Sequence, residues 1–402
     1  MARPVVWGSE LSPFALKLRA LLAAAEVPYD WLPANGSRWR NYRVLARIER
    51  AKRTRTALRY PATSELDEYP LVPYLLDGAT VYYDSSALAR WLDERHAPAA
   101  GPLVPAEPLL GFLARLIDEA FDEVGLYVVH HRRWVTSAAT NDAGARLARE
   151  LRRVLPPLAG RRFARAFAER QVRRLPYLFS VAPAGYSAPV RPALVPPARA
   201  GFPPTHALLD HIWAEWVDAL EQALAARPYL LGERFTLADA SVYGQLGMNL
   251  EDPEAAAALA ARAPRLDGWI RAIAADAHAG ARGPLELHDA LRSLLQSIGR
   301  TFVPLMVQNE RAYLAAHAAG ERLFNERAFD AGRALYDGTL LGQPFRAVVK
   351  TFQVQVWREV RAAFARLDAA DRSRVSDLTG VAQHAFAEPA DASAAGGCQE
   401  GG

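Results

Sequence analysis

Cysteine is almost missing from this sequence. A single residue, Cys398, lies in the glycine-rich stretch "ASAAGGCQEGG", so no internal disulfide forms and nothing demands an oxidising compartment. Long apolar runs are missing too. No stretch reaches the roughly eighteen residues needed to span a bilayer, and "MARPVVWGSE" lacks the apolar core of a secretory signal. A cytoplasmic protein is expected. Several chemistries also lack their motifs. HExxH and CxxC do not occur, adjacent His130 and His131 point from different helix faces, and His206 and His211 are five positions apart, so no metal is expected. The GxSxG elbow, the glycine-rich phosphate loop and any repeat of solenoid period are absent as well.

With 402 residues, 51% of them hydrophobic and 23% charged, the chain is a folded protein of two or three domains. Lys plus Arg number 48 against 44 Asp plus Glu, a net charge of +4 that is too small to imply nucleic acid. The arginine-dense "RELRRVLPPLAGRRFARAFAERQVRRL" reads as solvated helix faces, because no aromatic platform for bases is interleaved with it.

The first hundred residues alternate strand and helix signals. "PVVWG" is β-rich, "SPFALKLRALLAAAE" is helical and "VPYDWLP" is extended. A basic helical stretch, "GSRWRNYRVLARIERAKRTRTALRY", precedes "YPLVPYLLDGATVYY", two strands joined at Asp77-Gly78, and "DSSALARWLDERH" closes the segment as a helix. The order β-α-β-α-β-β-α is that of a thioredoxin-like α/β domain, assigned to residues 1–98. After the linker "APAAGPLVPAEP" the signals are helical: an all-helical domain over 105–278, a helical extension over 284–386 and a tail over 387–402. Helical periodicity runs from Leu109 through Arg174, then a Pro-rich loop intervenes before helices resume at "THALLDHIWAEWVDALEQALAA". In the extension, "PFRAVVKTFQVQVWREVRAAFARL" reads as one helix with a stripe of Val348, Val349, Phe352, Val356, Val360 and Phe364. Pro304 predicts a kink or break near Val303, while His288-Asp289 and Asn309-Glu310 read as surface polar pairs.

Three motifs carry chemical potential. In "SELSPFALKLR", Ser12 is placed to cap a helix whose first residue is Pro13, with free backbone donors and the positive end of the helix dipole beside the serine hydroxyl. An anion could sit there, although Ser-Pro is also an ordinary helix start. In "YPLVPYLLDG", Pro73 stands between two apolar runs, and a cis Val72-Pro73 bond would reconcile it with a strand. In "VYYDSSALARWLDE", Asp84 and Ser85 stand at a helix N-terminus suited to a carboxylate or to plain capping. Further on, Thr236 and Asp239 in "LLGERFTLADASVYGQL" form a capping-box pattern with a folding role.

By the order and spacing of these motifs, residues 4 to 276 resemble the glutathione transferase superfamily. The resemblance implies a thioredoxin-like domain joined to a helical one, with Ser12 matching the serine that binds the sulfur of glutathione as thiolate; Ser9 is three residues too early. It also implies that the Val72 main chain, ahead of a cis Pro73, meets the cysteinyl part, and that Asp84 and Ser85 hold the γ-glutamyl end. The usual acid is Glu or Gln, so Asp84 is shorter. Lys52, Arg53 and Arg59 are candidates for the glycyl carboxylate. The implied activity is conjugation of glutathione, the co-substrate, to a hydrophobic electrophile. Helices after Leu109 would line the second site, with Phe112, Phe121 and Trp134 as candidates. A homodimer is allowed. A non-catalytic scaffold on the same fold is the alternative.

Overall fold

The computed structural model describes residues 3–54, 72–187 and 194–387. Strand β1 (Val5–Trp7) leads into α1 (Pro13–Ala24), β2 (Asp30–Leu32) into α2 (Arg38–Thr54), and the pair β3 (Tyr74–Asp77) and β4 (Thr80–Tyr83) into α3 (Ser85–His96). The sheet order is β2-β1-β3-β4, with β1 parallel to β2 and the other pairs antiparallel. This is the thioredoxin-like order expected. The hairpin turns at Gly78 and Ala79, between the paired Asp77 and Thr80 and one residue later than the expected Asp77-Gly78; Gly78 has φ 55°, where a side chain on the backbone is strained.

Helices follow: α4 (Pro108–Ala120), α5 (Leu126–His131), α6 (Ala143–Glu150), α7 (Gly160–Arg173), α8 (His206–Ala226), α9 (Leu237–Gly247), α10 (Pro253–Arg262) and α11 (Pro264–Ala274). π-helical turns at Phe121–Gly125 and Arg132–Thr136 flank α5. The helical run expected through Arg174 is interrupted at 137–142 and at 151–159, the latter holding Pro156-Pro157, neither of which has an N–H to donate to a helix. One core cluster runs through both units: Leu18 and Leu21 of α1 and Leu88 of α3 join Leu113, Ile117, Phe121, Trp216 and Leu220. The thioredoxin-like and helical units are thus packed as one body.

The extension contains α12 (Arg292–Ala318), α13 (Glu326–Asp330), strands β5 (Leu335–Leu340) and β6 (Gln343–Val348), α14 (Thr351–Ala365) and α15 (Ala369–Thr379). Three expectations need correction. Residues read as the start of one helix at "PFRAV" form β6 instead, an antiparallel partner of β5. Only the stripe from Phe352 onward is helical; Phe345 and Val348 are buried from the strand. Helix α12 runs unbroken across Pro304: the bond to Arg300 is lost, but Val303, Leu305 and Met306 around it are buried, which offsets that local cost. Asn309 and Glu310 are buried, not on the surface. Asn309 exchanges two hydrogen bonds with the Lys350 backbone at 2.8 and 2.9 Å, and Glu310 accepts from Arg361 at 2.8 Å. Their polar atoms join α12 to α14. His288 is half-buried against the Leu230 carbonyl at 3.1 Å.

Candidate active site

Strand register brings three distant segments to one end of the sheet. Trp7, Tyr74 and Tyr83 lie opposite one another on β1, β3 and β4. Past them, the chain leaves β1 toward Ser12, enters β3 from Val72-Pro73 and leaves β4 into Asp84-Ser85.

Ser12 caps α1 from an extended backbone, φ −100° and ψ 120°, and its Oγ accepts the Ala15 N–H at 3.4 Å. That bond uses a lone pair and leaves the hydroxyl proton available. The residue is half-buried. Ser9 is half-buried as well, its Oγ accepting the Leu11 N–H at 3.1 Å. The loop between them is held from the helical unit: Arg133 donates to the Leu11 carbonyl at 3.1 Å, and the Glu10 N–H donates to Glu150 Oε1 at 3.1 Å. Arg133 is buried against Asp252 at 2.8 Å.

The Val72-Pro73 peptide is cis, and Val72 packs on the cluster of Trp7, Leu32, Tyr74 and Tyr83. Asp84 caps α3 at φ 76°, a strained value for a residue with a side chain, and accepts the Ala87 N–H at 2.8 Å. Burial pushes its carboxyl up to about 7. The Ala87 N–H and the Lys17 ammonium pull it down, while Asp122 and Asp118 add to the rise. Ser85 is buried directly beneath it in the first turn.

Under this turn lies a group that the sequence reading did not pick out. Lys17 is 1% exposed, and its three ammonium protons go to Ser86 Oγ at 2.7 Å, Asp122 Oδ2 at 2.6 Å and Asp118 Oδ1. Burial works against the charge, but the two carboxylates outweigh it and hold the pKa above the ordinary lysine value. Ser241 donates to Asp118, and Gln245 to Asp122 at 3.4 Å. Burial, opposed by Lys17, pushes the Asp122 carboxyl up to about 6. The network joins α1, α3, α4 and α9, so it fixes the Ser12 helix against the Asp84-Ser85 turn. A signal was present. Lys17 falls in the apolar stripe of α1, Asp118 stands on the apolar face of α4, and Asp122 follows four residues later in the π-helical turn.

The other candidates scatter. Lys52 pairs with Glu49 at 2.8 Å, Arg53 donates to the Glu49 carbonyl at 3.3 Å, and Arg59 lies outside the described residues. Phe121 and Trp134 are core residues, packed on Trp216 and Phe167. Thr236 and Asp239 begin α9, with the Thr236 N–H donating to Asp239 Oδ2 at 2.9 Å. A serine-histidine-aspartate line does exist elsewhere: His131 bonds Ser180 Oγ at 2.8 Å and faces Asp210 at 3.5 Å. There the serine is fully enclosed and the aspartate exposed, the reverse of what a nucleophile needs.

Sequence comparison joins this geometry to a family. The glutathione S-transferase N-terminal domain matches residues 11–95, and the glutathione S-transferase C-terminal domain matches residues 213–272. The chain belongs to the glutathione transferase superfamily. Solved structures similar to this transferase-family chain include an apo glutathione S-transferase III, 19% identical, covering 74% of this chain and 97% of that one at TM-score 0.36. A β-etherase from Sphingobium is 16% identical over 73% and 98% of the two chains at TM-score 0.41. A Methylobacterium radiotolerans glutathione S-transferase, in complex with glutathione sulfonate, is 21% identical over 70% and 97% at TM-score 0.34. No curated protein matches the chain. Among the described residues of this superfamily member no cluster suits a metal ion, and no helix is long and apolar enough to cross a membrane.

Proposed function

We propose that the chain binds glutathione at the sheet end bearing Ser12, Val72 and Asp84-Ser85, and transfers it as thiolate to an apolar electrophile. The observation that carries this reading is the register that gathers those segments, with a helix N-terminus and a free hydroxyl proton at Ser12. Free thiols have a pKa of about 8.5, and lowering it by roughly two units takes about 2.7 kcal/mol of preference for the anion. A hydroxyl donor plus the dipole end of α1 is the kind of environment that supplies it. Asp84, once ionised, would face the α-amino group, and the Ser85 end of α3 the α-carboxylate. The protein orients and activates the nucleophile and forms no covalent bond to either reactant.

Titration calorimetry with glutathione and a conjugation assay with an aryl halide test the proposal. Wild-type protein should bind glutathione at millimolar ligand or below. Ser12→Ala should keep most of the affinity and lose about a hundredfold in turnover, as removal of one oriented donor does. Absence of binding ends the glutathione assignment; unchanged turnover ends the role of Ser12.

One observation favours the scaffold reading. The 151–155 segment is bonded across to the thioredoxin-like unit, Arg153 to the Gly36 carbonyl at 2.7 Å and Tyr42 Oη to the Val154 carbonyl at 3.1 Å, and Val154 packs on the Trp7 cluster. Access to the sheet end is narrowed on that side. On this reading glutathione still binds, yet no electrophile tried is conjugated.

A further inference from the structure

Helix α2 buries Asn41, Val44, Ile48 and Ala51, which turns Trp39, Arg43 and Arg50 to the opposite side. Tyr42 Oη on the Val154 carbonyl at 3.1 Å and Arg153 on the Gly36 carbonyl at 2.7 Å join the start of this helix to the turn at 151–159. Leu158 follows Val154 by four residues, so it lies within about 14 Å of that junction. The two segments form one face.

Two properties coincide on it. Four large hydrophobic side chains are exposed among the described residues, and three are here: Trp39 at 77%, Tyr42 at 40% and Leu158 completely. Leu158 also has φ 65°, a conformation that is unfavourable for leucine and that asparagine or glycine takes readily. Neither packing nor backbone geometry accounts for an aliphatic side chain at that spot. The second property is charge. Residues 36–54 hold seven Lys and Arg against one Glu, and residues 149–165 hold six Arg against one Glu. Both acids are engaged, Glu49 with Lys52 at 2.8 Å and Glu150 with the Glu10 N–H at 3.1 Å. Arg38, Arg43, Arg50, Arg152, Arg161 and Arg162 are exposed and have no carboxylate partner among the described residues.

A partner for this face is anionic and offers an apolar layer. An anionic lipid bilayer has both: phosphates for the arginines, an interface where tryptophan rests, and hydrocarbon for leucine. A nucleic acid meets the charge but gives a branched aliphatic side chain nothing to stack on, and Tyr42 is tied by its hydroxyl to Val154. Among the described residues no helix is long and apolar enough to cross a bilayer, so the contact is with its surface.

We propose that this face docks the protein on an anionic lipid bilayer, with Trp39 and Leu158 entering the interface and the six arginines on the headgroups. The assignment is independent of whether glutathione binds at Ser12.

The test is cosedimentation of the full chain with sucrose-loaded phosphatidylcholine vesicles containing about 30% phosphatidylglycerol, at about 0.1 M salt. Binding should be at least about tenfold stronger than to pure phosphatidylcholine and should weaken about tenfold at roughly 0.5 M salt. Replacing Arg43, Arg161 and Arg162 together by Gln should weaken it about a hundredfold, about fivefold for each charge. Leu158→Asn keeps the charge and suits the backbone, and Trp39→Ser also keeps the charge; each should weaken binding about five- to tenfold. Both positions are exposed, so unchanged thermal melting separates lost docking from lost folding. Binding no stronger to the anionic vesicles than to phosphatidylcholine overturns the proposal. So does binding that Leu158→Asn and Trp39→Ser leave unchanged. Tighter binding to a single-stranded thymidine oligonucleotide than to the vesicles, equal in wild type and Leu158→Asn, assigns the face to nucleic acid and overturns it as well.

Discussion

Replacing Lys17 with methionine tests how the two ends of the glutathione site are held together. Methionine keeps the length and loses the charge. The chain has only three lysines among its 48 basic residues, and here a compact ammonium with three separate protons fits where a planar guanidinium would not. Without it, Asp118 and Asp122 face each other in the interior with no cation between them. Breaking a buried pair from one side costs about 3–5 kcal/mol, because the remaining charge is uncompensated. The sign with pH follows from linkage. Asp122 already stands above its ordinary value at about 6, and loss of Lys17, which pulls it down, raises it further. An acid with a folded pKa above its unfolded one makes the folded state hold protons that the unfolded state releases. The variant's stability therefore falls as pH rises above about 4.

Urea unfolding followed by tryptophan fluorescence at pH 5 and pH 8 gives the comparison. Lys17→Met should lose about 3–5 kcal/mol at pH 8 and clearly less at pH 5, where the carboxyls take up protons. Adding Asp118→Asn and Asp122→Asn should recover much of the loss, since removing all the charges leaves none unpaired. A loss below about 1 kcal/mol at pH 8, or one that does not change with pH, would refute the argument for a structural ion cluster.

Further outcomes follow from the same geometry. Asp84 must ionise to face an amine, so glutathione affinity should rise from pH 6 to pH 8 around its pKa of about 7, and Asp84→Asn should flatten that profile in calorimetry. As a raised acid, Asp84 opposes folding increasingly between about pH 4 and pH 7, so Asp84→Asn should raise the unfolding midpoint more at pH 8 than at pH 5. Gly244→Ala should cost about 1–3 kcal/mol and weaken glutathione. Its new Cβ would stand 2.6 Å from the Pro13 carbonyl oxygen and 3.1 Å from the Lys17 nitrogen, rigid atoms of the helix that Ser12 caps; unchanged melting and affinity would show that α1 and α9 separate freely. Thr236→Ala should cost about 1 kcal/mol in thermal unfolding, whereas Asp239→Ala should cost more, since it strips a partner from both the Thr236 and Leu230 N–H groups.

What could be read from the sequence, and what could not, follows the range of the forces involved. The β-α-β-α-β-β-α order is written in local periods of two and 3.6 residues, and the caps at Ser12, Asp84 and Thr236 are short-range chemistry visible in a few letters. The first hairpin was legible for the same reason, although its turn is Gly78-Ala79, one residue past the Asp77-Gly78 pair. The second hairpin was not: its turn is Leu341-Gly342, with φ of 50° and 75°, and leucine there gives no turn signal. The stripe of α14 begins just after β6 and hides the change of period. Asn309 and Glu310 look like surface residues because polarity alone does not reveal a partner some forty or fifty positions away.

The extension also bears on how the superfamily's helical unit is used here. Arg115 of α4 pairs with Glu359 of α14 at 2.7 Å, and Phe112 meets Phe364 and Phe386 at ring distances of 5.7 and 6.2 Å. That face of α4 is closed by the chain's own C-terminal helices. A second copy, if one associates, has to use another surface. The same helices wall a cavity whose lining includes Asp118, the carboxylate that also holds Lys17 beneath the Asp84-Ser85 turn.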